Sequence, residues 1–304
     1  MLATNKKILL KAQKGHYAVP AFNINNLEFL QAIIKAAQLE CSPVIIQTSE
    51  GAIKYAGMDN IVDLVNNAAD KTKKDVSLHL DHGRDIKVIK KAINSGYTSV
   101  MIDASNLEFR KNIMTTRKVV EMAHKRSISV EAELGTIGGA EDNVSARKII
   151  YTDPNAAKEF VAKTGIDALA IAIGTSHGAY KFTGRSNLNL VLLKKIRKEV
   201  KIPLVLHGAS SIPKDIVQQA NRYGATLKNT IGVAPEQLKK AVKLGICKVN
   251  IDSDLRLAFD AGIRKELIEH PEVFDTRNIL MPAMELITEL ARKKMRLFGS
   301  SGKG

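Results

Sequence analysis

The stretch VSLHLD at Val76–Asp81, followed directly by His82 and Gly83, shows the pattern that decides the fold. A short, mainly apolar run ends there in polar residues. Most such runs in this chain are continuously apolar, as is typical of strands buried on both faces of a parallel sheet. The pattern occurs eight times, at Tyr17–Ile24, Pro43–Ser49, Val76–Asp81, Ser99–Ala104, Ser129–Leu134, Ala168–Gly174, Pro203–His207 and Cys247–Asp252.

Longer amphipathic segments lie between these runs and have the periodicity of helices. They include Asn26–Leu39, Asp59–Thr72, Asp85–Asn94, Leu107–Lys125, Pro154–Thr164 and Leu188–Val200. Alternation of strand and helix predicts a parallel sheet, and eight repeats without a reversal favour a closed barrel over an open sheet. No GxGxxG motif follows the first run, which disfavours an open dinucleotide-binding sheet. We therefore predict an α/β fold, a (β/α)8 TIM barrel.

The domain organisation predicted is one barrel domain over residues 1–304, because no linker or low-complexity stretch divides the chain. A C-terminal helical extension is expected from about residue 254, with helices at Asp254–Glu269 and Met281–Leu297. Two segments are longer than a simple crossover needs, namely Gly135–Tyr151 and Arg222–Leu244. The first is polar and Gly-containing, and it follows the fifth strand, so we expect a functional loop there.

Composition excludes several classes of protein. The chain of 304 residues has only two cysteines, so it is not a disulfide scaffold and a reducing compartment is expected. No apolar run reaches the length of about 18 residues that a membrane span needs, and no signal peptide is recognised, so we expect a cytoplasmic protein without membrane contact.

The net charge of +15 allows three interpretations: a nucleic-acid partner, a solvated basic surface, or attraction of small phosphorylated anions. The absence of tryptophan, an aromatic content of 5% and the lack of a dense basic tract disfavour nucleic acid.

Polar residues end every predicted strand, where a barrel carries its site residues. Three of the seven histidines, His82, His177 and His207, end the third, sixth and seventh strands, each directly before a glycine. A barrel brings strand ends around one mouth, and three imidazoles there suit Zn²⁺ with a position open for substrate. For any one histidine alone, an ordinary hydrogen-bonded role is the better interpretation; the combination favours a metal.

Acidic residues surround the same mouth, namely Asp81, Asp103, Glu131, Glu133, Glu141, Asp142 and Asp252. Asp81 directly precedes a proposed ligand and is a candidate acid or base, with orientation of a histidine as the alternative. Asp103 and Glu133 either orient histidines, hold a second cation or cap the following segments. Glu141 lies in the Gly-containing loop and could move onto bound substrate, although a lone loop glutamate is more often solvated.

Small residues near the last strands indicate an anion site. Backbone N–H groups at Gly178, at Gly208 and along Ala209–Ser211 are placed where barrels often bind phosphate. Further donors and charges are available from Lys181, Asn250, Ser253 and Arg256. A metal, a neighbouring carboxylate and phosphate sites together indicate chemistry on a phosphorylated carbonyl compound. The spacing does not distinguish aldol cleavage from isomerisation.

Long ordered motifs resemble one enzyme family. They are LHLDHG, SVMIDAS, VEAELGTIGG, IGTSHGAYKF, LVLHGASSIP, KVNIDSDLRLAF and LFGSSGKG. These motifs are similar to those of the class II, zinc-dependent fructose-bisphosphate aldolases, over nearly the whole chain. The resemblance implies a (β/α)8 barrel that reversibly splits fructose 1,6-bisphosphate into dihydroxyacetone phosphate and glyceraldehyde 3-phosphate, in glycolysis and gluconeogenesis.

The same resemblance implies roles for individual residues. Zinc would be bound by His82, His177 and His207, Asp81 would transfer a proton at the C4 hydroxyl of the substrate, and Glu141, or else Asp142, at C3. The positions implied for dihydroxyacetone phosphate are Gly178, Gly208, Ser210, Ser211, Asn250, Asp252 and Ser253, and those for the far phosphate are Asn23, Ser49 and Lys181. A monovalent cation (Na⁺ or K⁺) near Gly178, Gly208 and Ser210 is implied as well. Arg256 would reach a neighbouring subunit, which implies a homodimer or tetramer.

Three alternatives stay open. Tagatose-bisphosphate aldolases share nearly all of these motifs, and the family resemblance points to Asp252 as the position that indicates the fructose type. A Schiff-base aldolase would use Lys248 in the eighth strand, after burial has lowered its pKa. A basic binding protein would use the barrel only as a scaffold.

Overall fold

Eight parallel strands close a barrel in a computed structural model that describes residues 2–141, 144–146, 149–177, 187–228 and 230–304. For residues 139–141, 144–146 and 177 it describes the backbone alone. Together with three short strands outside the barrel, the strands of the described residues are β1 (Val19–Asn23), β2 (Val44–Thr48), β3 (Val76–Gly83), β4 (Ser99–Ile102), β5 (Ser129–Leu134), β6 (Gly138–Glu141), β7 (Val144–Ala146), β8 (Ala168–Ile171), β9 (Ser176–His177), β10 (Leu204–Leu206) and β11 (Ile246–Ile251). The barrel order is β1-β11-β10-β8-β5-β4-β3-β2, and β7-β6-β9 form a separate small sheet.

Helices cover the barrel and lengthen its C-terminal side. They are α1 (Asn5–Gly15), α2 (Leu27–Leu39), α3 (Glu50–Ala56), α4 (Met58–Asp70), α5 (Ile86–Ser95), α6 (Phe109–His124), α7 (Pro154–Thr164), α8 (Leu190–Glu199), α9 (Lys214–Arg222), α10 (Pro235–Lys243), α11 (Ser253–Glu269) and α12 (Thr276–Phe298). None of the helices in the described part of the chain combines the length and the apolar character that crossing a bilayer requires.

Local sequence explains where these helices begin and end, and α7 is a clear example. The Asp153 side chain accepts hydrogen bonds from the backbone N–H groups of Asn155 and Ala156, and Pro154 occupies the first turn, where its missing N–H costs nothing. The helix ends at Gly165, which adopts a left-handed conformation that is strained for other residues.

The interior of the barrel is apolar at its N-terminal end. Helix α1 lies under that end, and its buried side chains join inward-facing residues of the strands in what we call the floor cluster: Ala3, Ile8, Leu9, Ala12, Tyr17, Val19, Ala21, Ile45, Met101, Ala168, Ala170, Val205 and Cys247. Because side chains alternate along a strand, the next inward positions lie closer to the opposite end, the mouth. The floor cluster therefore supports the residues that line the mouth.

Helices α11 and α12 pack together, and α12 also packs on α2. Glu40, at the end of α2, is buried and accepts hydrogen bonds from the guanidinium groups of Arg292 and Arg296 and from the Ser301 hydroxyl. The following backbone is held as well, since Gly302 N–H donates to the Glu40 carbonyl. The C-terminal segment is thus attached to the second helix of the barrel.

The predicted barrel is confirmed, with a strand at each of the eight predicted runs and helices beyond the last strand. Three details differ. Helix α1 was not predicted. Part of Gly135–Tyr151, expected as a loop, forms an antiparallel pair of β6 and β7, in which Gly139 pairs with Ala146. Helix α12 begins at Thr276 rather than Met281, because Asp275 caps it with a hydrogen bond from Arg277 N–H.

Candidate active site

The mouth of the barrel brings together the ends of β3 and β10, which are far apart in sequence. The pairing of β3 with β4 shifts register between Leu80 and Gly83, an irregularity that re-aims the side chains of Asp81 and His82. Glycine is required at position 83, because a Cβ there would lie 2.6 Å from the Met101 carbonyl oxygen. His82 itself has a positive φ of 48°, so this strand end is locally strained.

His82 and His207 face each other directly. Nε2 of His82 lies 2.8 Å from Nδ1 of His207, and the two rings are nearly perpendicular, at 81°. On the far sides of the rings, His82 Nδ1 lies 3.1 Å from Asp103 Oδ2 and His207 Nε2 lies 2.6 Å from Glu131 Oε1. Hydrogen bonds to these carboxylates place the N–H groups outward. The facing nitrogens are then Nε2 of His82 and Nδ1 of His207, and their separation of 2.8 Å is a hydrogen bond that one proton makes between them. A cation that displaced this proton would meet a lone pair from each ring.

Asp81 lies beside this pair. Its Oδ1 is 4.0 Å from Nδ1 of His207 and accepts a hydrogen bond from the Asn250 amide at 3.0 Å. Its Oδ2 accepts from the amides of Asn23 and Gln47, at 2.9 and 3.2 Å. Burial alone would raise the pKa of this carboxyl, but His82 and His207 outweigh it, so the pKa lies below its usual value. The site thus holds an ionised carboxylate among amide donors.

Asp103 and Glu133 lie on the other side of His82 and differ in ionisation. Burial opposes ionisation of Asp103, but hydrogen bonding to His82 and Ser105 and the charge of Arg84 lower its pKa strongly. For Glu133, burial and the neighbouring Asp103 raise the pKa to about 8. Glu133 Oε2 has no hydrogen-bond partner in the described part of the chain.

Among the described residues, two groups of side chains have ligand atoms close enough together to hold a metal ion. One is Asp81, His82 and His207, and the other is His82, Asp103 and Glu133; within each, the atoms lie within 4.8 Å of one another. Paired imidazoles with a carboxylate are ligands typical of zinc and other divalent transition metals. The donors therefore fit a divalent metal, and they do so most directly between His82 and His207.

For His177, the third predicted ligand, the structure describes only the backbone. Its strand β9 pairs with β6, with Gly138 opposite Ser176 and Gly139 opposite His177. Gly208, directly after His207, has φ 60°, and a Cβ there would lie 2.7 Å from the Ser176 carbonyl oxygen. The His177 backbone is thus beside the end of β10.

For five predicted residues, the side chain or the whole residue is not described. The Glu141 and His177 side chains, and the whole of Gly178 and Lys181, lie outside the described residues, as does Asp142. The backbone of Glu141 is part of β6, which also contains Gly139. The loop acid and the third histidine are therefore carried by paired strands.

The remaining predicted substrate residues are spread around the mouth. Asn23 and Asn250 hold Asp81, as described above. Ser49 caps α3 by accepting from Ala52 N–H at 3.2 Å. Asp252 Oδ1 accepts from Arg256 Nε at 2.8 Å, so the carboxylate and the guanidinium are paired within one protomer.

Ser211 differs from the expectation of an exposed backbone donor. Its N–H donates to Asp254 at 3.2 Å, and its hydroxyl contacts Lys294, which also pairs with the buried Asp254. Ser211 lines a cavity of about 890 Å³ beside Gly232 and α12. Ser210 and Ser253 are buried near the ends of their strands. Ser210, Gly208 and Ser253 lie at the side of the mouth formed by β10 and β11.

Three residues complete the site in roles that the sequence did not predict: Gln47 was missed, Glu131 was predicted only as an acid near the mouth, and Lys248 only as a Schiff-base lysine. Gln47 holds both Asp81 and Asn23, Glu131 holds His207, and Lys248 contacts Glu131. The sequence did contain a sign of these residues. Side chains two positions apart on a strand point to the same face, so a charged or amide residue two positions before a site residue also points into the barrel. Glu131 precedes Glu133 in this way, and Lys248 precedes Asn250.

Comparisons with known proteins agree on one family. The family model described as "Fructose-bisphosphate aldolase class-II" matches residues 3–303. The fructose-bisphosphate aldolase of Giardia intestinalis is 46% identical over 304 residues, covering 99% of this chain and 94% of the relative. That of Thermus caldophilus is 46% identical over 305 residues, covering 100% of both.

A solved structure is similar over the same length. The YdjI aldolase from Escherichia coli K12 has 35% sequence identity and a TM-score of 0.83, and the match covers 100% of this chain and 99% of that one. Sequence and fold therefore match from one end of the chain to the other.

Proposed function

Because this chain belongs to the class II fructose-bisphosphate aldolase family, we propose that it cleaves fructose 1,6-bisphosphate reversibly into dihydroxyacetone phosphate and glyceraldehyde 3-phosphate. The observation that carries the proposal is the gap of 2.8 Å between Nε2 of His82 and Nδ1 of His207, with Asp81 beside it. Two imidazole nitrogens that share one proton beside a carboxylate are of little use in a binding scaffold, but a divalent cation can take the place of that proton. It is the arrangement that metal-assisted proton transfer needs.

The proposed metal is zinc, held by His82, His207 and His177. Since Nδ1 of His82 and Nε2 of His207 are hydrogen-bonded to Asp103 and Glu131, the metal would be held by the other nitrogen of each ring. Bound there, a divalent cation supplies a Lewis acid for the carbonyl oxygen of the substrate.

Two carboxyl groups carry out the two proton transfers. Asp81, kept ionised and oriented by Asn23, Gln47 and Asn250, takes the proton of the C4 hydroxyl as the C3–C4 bond breaks. The electron pair of that bond passes to C3, where Glu141 delivers a proton. In the synthetic direction the same groups act in reverse.

The phosphates are assigned to two sides of the mouth. Backbone and hydroxyl donors at one side bind the phosphate of dihydroxyacetone phosphate, and those at the other side bind the far phosphate. The first set is Gly178, Gly208, Ser210, Ser211, Asn250, Asp252 and Ser253, and the second is Asn23, Ser49 and Lys181. Na⁺ or K⁺ near Gly178, Gly208 and Ser210 would help to neutralise the first phosphate. Asn23 and Asn250 serve both Asp81 and substrate, which couples binding to the catalytic carboxylate.

Asp103 is assigned to orienting His82 rather than to a second cation, since its Oδ2 already accepts from His82 and from Arg84. A second cation would depend on Glu133, whose Oε2 is without a hydrogen-bond partner in the described part. At a pKa of about 8 this group is mostly protonated at neutral pH and would have to lose its proton to bind one.

The chain as a whole has a proposed organisation and location. It works as one barrel unit with its C-terminal helices, in the cytoplasm, and without nucleic acid or membrane. It assembles as a homodimer or tetramer in which Arg256 reaches the neighbouring subunit, for which its intramolecular pairing with Asp252 has to be exchanged or shared.

A coupled cleavage assay tests this function and its nearest alternative. We expect cleavage of fructose 1,6-bisphosphate to exceed that of tagatose 1,6-bisphosphate, to disappear with a chelator and to return when Zn²⁺ is added. Preference for the tagatose compound would assign the second substrate and overturn the role given to Asp252. Activity that survives chelation, with substrate trapped on Lys248 by borohydride, would establish Schiff-base chemistry instead. Against that outcome, Lys248 Nζ is already paired with Glu131 at 2.9 Å.

A further inference from the structure

Lys248 lies at the centre of the barrel, where the proposed mechanism gives it no task. Its side chain is 0% exposed, and it comes from β11, between the floor cluster and the mouth. Nζ lies 3.2 Å from Oε1 and 2.9 Å from Oε2 of Glu131, a side chain that is 1% exposed. A buried ion pair contributes little net stability, because desolvation offsets its attraction. Its presence in the barrel interior therefore calls for another explanation.

We infer that Lys248 is a positioning residue that acts through Glu131 to fix which ring nitrogen of His207 faces the metal position. The inference rests on the proposed metal-dependent function and deepens it. Lys248 touches neither substrate nor metal in this scheme; it sets the orientation of the carboxylate that sets the histidine.

The directions of the hydrogen bonds around Glu131 fix the tautomer of His207. An ammonium group has three donors and no lone pair, so both oxygens of Glu131 accept from Lys248. An oxygen in that role is an acceptor for His207 as well, and the distance of 2.6 Å from Oε1 requires Nε2 of His207 to be the donor. The imidazole proton is thus held on Nε2. Nδ1 presents its lone pair toward His82, 2.8 Å away.

The Asn250 amide nitrogen, 3.2 Å from Nδ1 of His207, favours the same tautomer, but it does not hold Glu131. No other described side chain near Glu131 replaces Lys248. Nε2 of His79 lies 3.7 Å from Glu131 Oε2, beyond hydrogen-bonding distance, and is without a partner in the described part of the chain. Its Nδ1 is engaged with the Ser99 hydroxyl at 2.8 Å. Removing the lysine would leave Oε2 of Glu131 without a described donor and the carboxylate free to turn away from His207.

The Lys248→Met variant tests the inference in two measurements that do not depend on activity. Competition with a chromophoric chelator should show the Kd for Zn²⁺ raised by about 10- to 100-fold, the range found when partners behind metal ligands are removed. In metal-free protein, ¹⁵N NMR of the imidazoles should show His207 protonated on Nε2 in the wild type and a mixture of tautomers in the variant. A residue that only filled space would change the unfolding midpoint and leave the tautomer unchanged.

A second substitution provides the rescue. In Lys248→Met/Glu131→Gln, a neutral amide can still accept from His207 through its carbonyl oxygen and needs no cation, so we expect the Kd for Zn²⁺ to return most of the way. The matched control is Cys247→Ala, a buried neighbour on the same strand, which should lower stability without changing the Kd or the tautomer.

Three results would overturn the inference: an unchanged Kd and tautomer in Lys248→Met, a double variant no better than the single one, or a wild-type His207 with its proton on Nδ1. The last needs no variant, so it decides the matter even if Lys248→Met does not fold. Failure of the wild type to bind Zn²⁺ or to cleave substrate would instead reject the proposed function. The tautomer measurement uses metal-free protein, so its result would still decide whether Lys248 positions His207.

Discussion

The floor and the mouth of this barrel are built from the same strands in opposite ways. At the floor, Leu9 of α1 packs against residues such as Ile45, Met101 and Val205, all of them buried and apolar. Closer to the mouth, the inward-facing side chains of the same strands are charged or carry amides. They are equally buried, but they are hydrogen-bonded to each other. Apolar packing depends on volume and is forgiving of detail, whereas a buried polar network depends on every donor and acceptor having a partner. Stability and chemistry can therefore be changed separately.

The largest effect is expected from Asp81→Asn, at the mouth. The amide keeps the size of the side chain but cannot take a proton, and general acid–base groups contribute about 10²- to 10⁴-fold to rate. We expect kcat for cleavage of fructose 1,6-bisphosphate to fall by a factor in that range, with the thermal midpoint and the metal content close to those of the wild type. Near-normal kcat would remove Asp81 from the mechanism.

Ile45→Ala, at the floor, should show the converse. Truncating a fully buried isoleucine removes packing and leaves a cavity, which costs about 2–5 kcal/mol of unfolding free energy. Chemical denaturation measures this loss, and kcat per folded molecule should stay within about twofold of the wild type, because the mouth network does not depend on this side chain. A large fall in kcat at temperatures where the variant is folded would mean that the two ends are coupled.

A smaller effect on metal binding is expected from Asp103→Asn. The substitution removes the charge behind His82 and lets the amide present either a donor or an acceptor to Nδ1, so the Kd for Zn²⁺ should rise by about tenfold. Chelator competition measures it. Ser105→Ala is the matched control, since it removes a hydrogen bond to the other oxygen of Asp103 and leaves the contact with His82 in place. Equal effects from both variants would mean that Asp103 acts by shaping the loop.

Glu40, between α2 and β2 on the outside of the barrel, offers a pH-dependent comparison. Hydrogen bonds from Arg296 hold its pKa at about 2, below its ordinary value of 4.5, although burial opposes this. A depressed pKa means stability that is complete above pH 4.5 and is lost as the pH falls toward 2. Glu40→Gln should lower the unfolding free energy at pH 7 by about 1–2 kcal/mol and should flatten its dependence on pH in that window. Unfolding curves at several pH values measure both, and an unchanged pH dependence would contradict the role of Glu40.

The fold could be predicted because its signal is repeated. Eight apolar runs, each ending in polar residues, leave few architectures open, and a boundary error of one or two residues does not change the topology. Helix α1 was missed because it precedes the first strand and is therefore not part of the alternation of strands and helices. The burial of its Ile8 and Leu9 can be understood only once the barrel interior is known. The β6–β7 pair was missed because its short, Gly-containing segments lack strand periodicity.

The site could be predicted in part. Residues at strand ends, such as Asp81, His82 and His207, are visible in sequence because they follow apolar runs. Glu131 and Lys248 are inside such runs, and their partnership joins residues 117 positions apart. The two side chains become neighbours only when the barrel closes, and Glu131 then contacts His207. Sequence also could not reveal that Ser211 N–H is already used by Asp254.

The attachment of the C-terminal segment to Glu40 has a consequence for synthesis on the ribosome. Arg292, Arg296 and Ser301 contact Glu40 across sequence separations of 252 to 261 residues, and β11 closes the barrel against β1 in the same late part of the chain. During translation, the outer face of α2 and the free edge of β1 stay uncovered until nearly all of the polypeptide has been made. Contacts of such high sequence separation form slowly, and an open strand edge invites intermolecular pairing. Nascent chains stalled before residue 246 should therefore depend most on chaperones that shield an unfinished sheet.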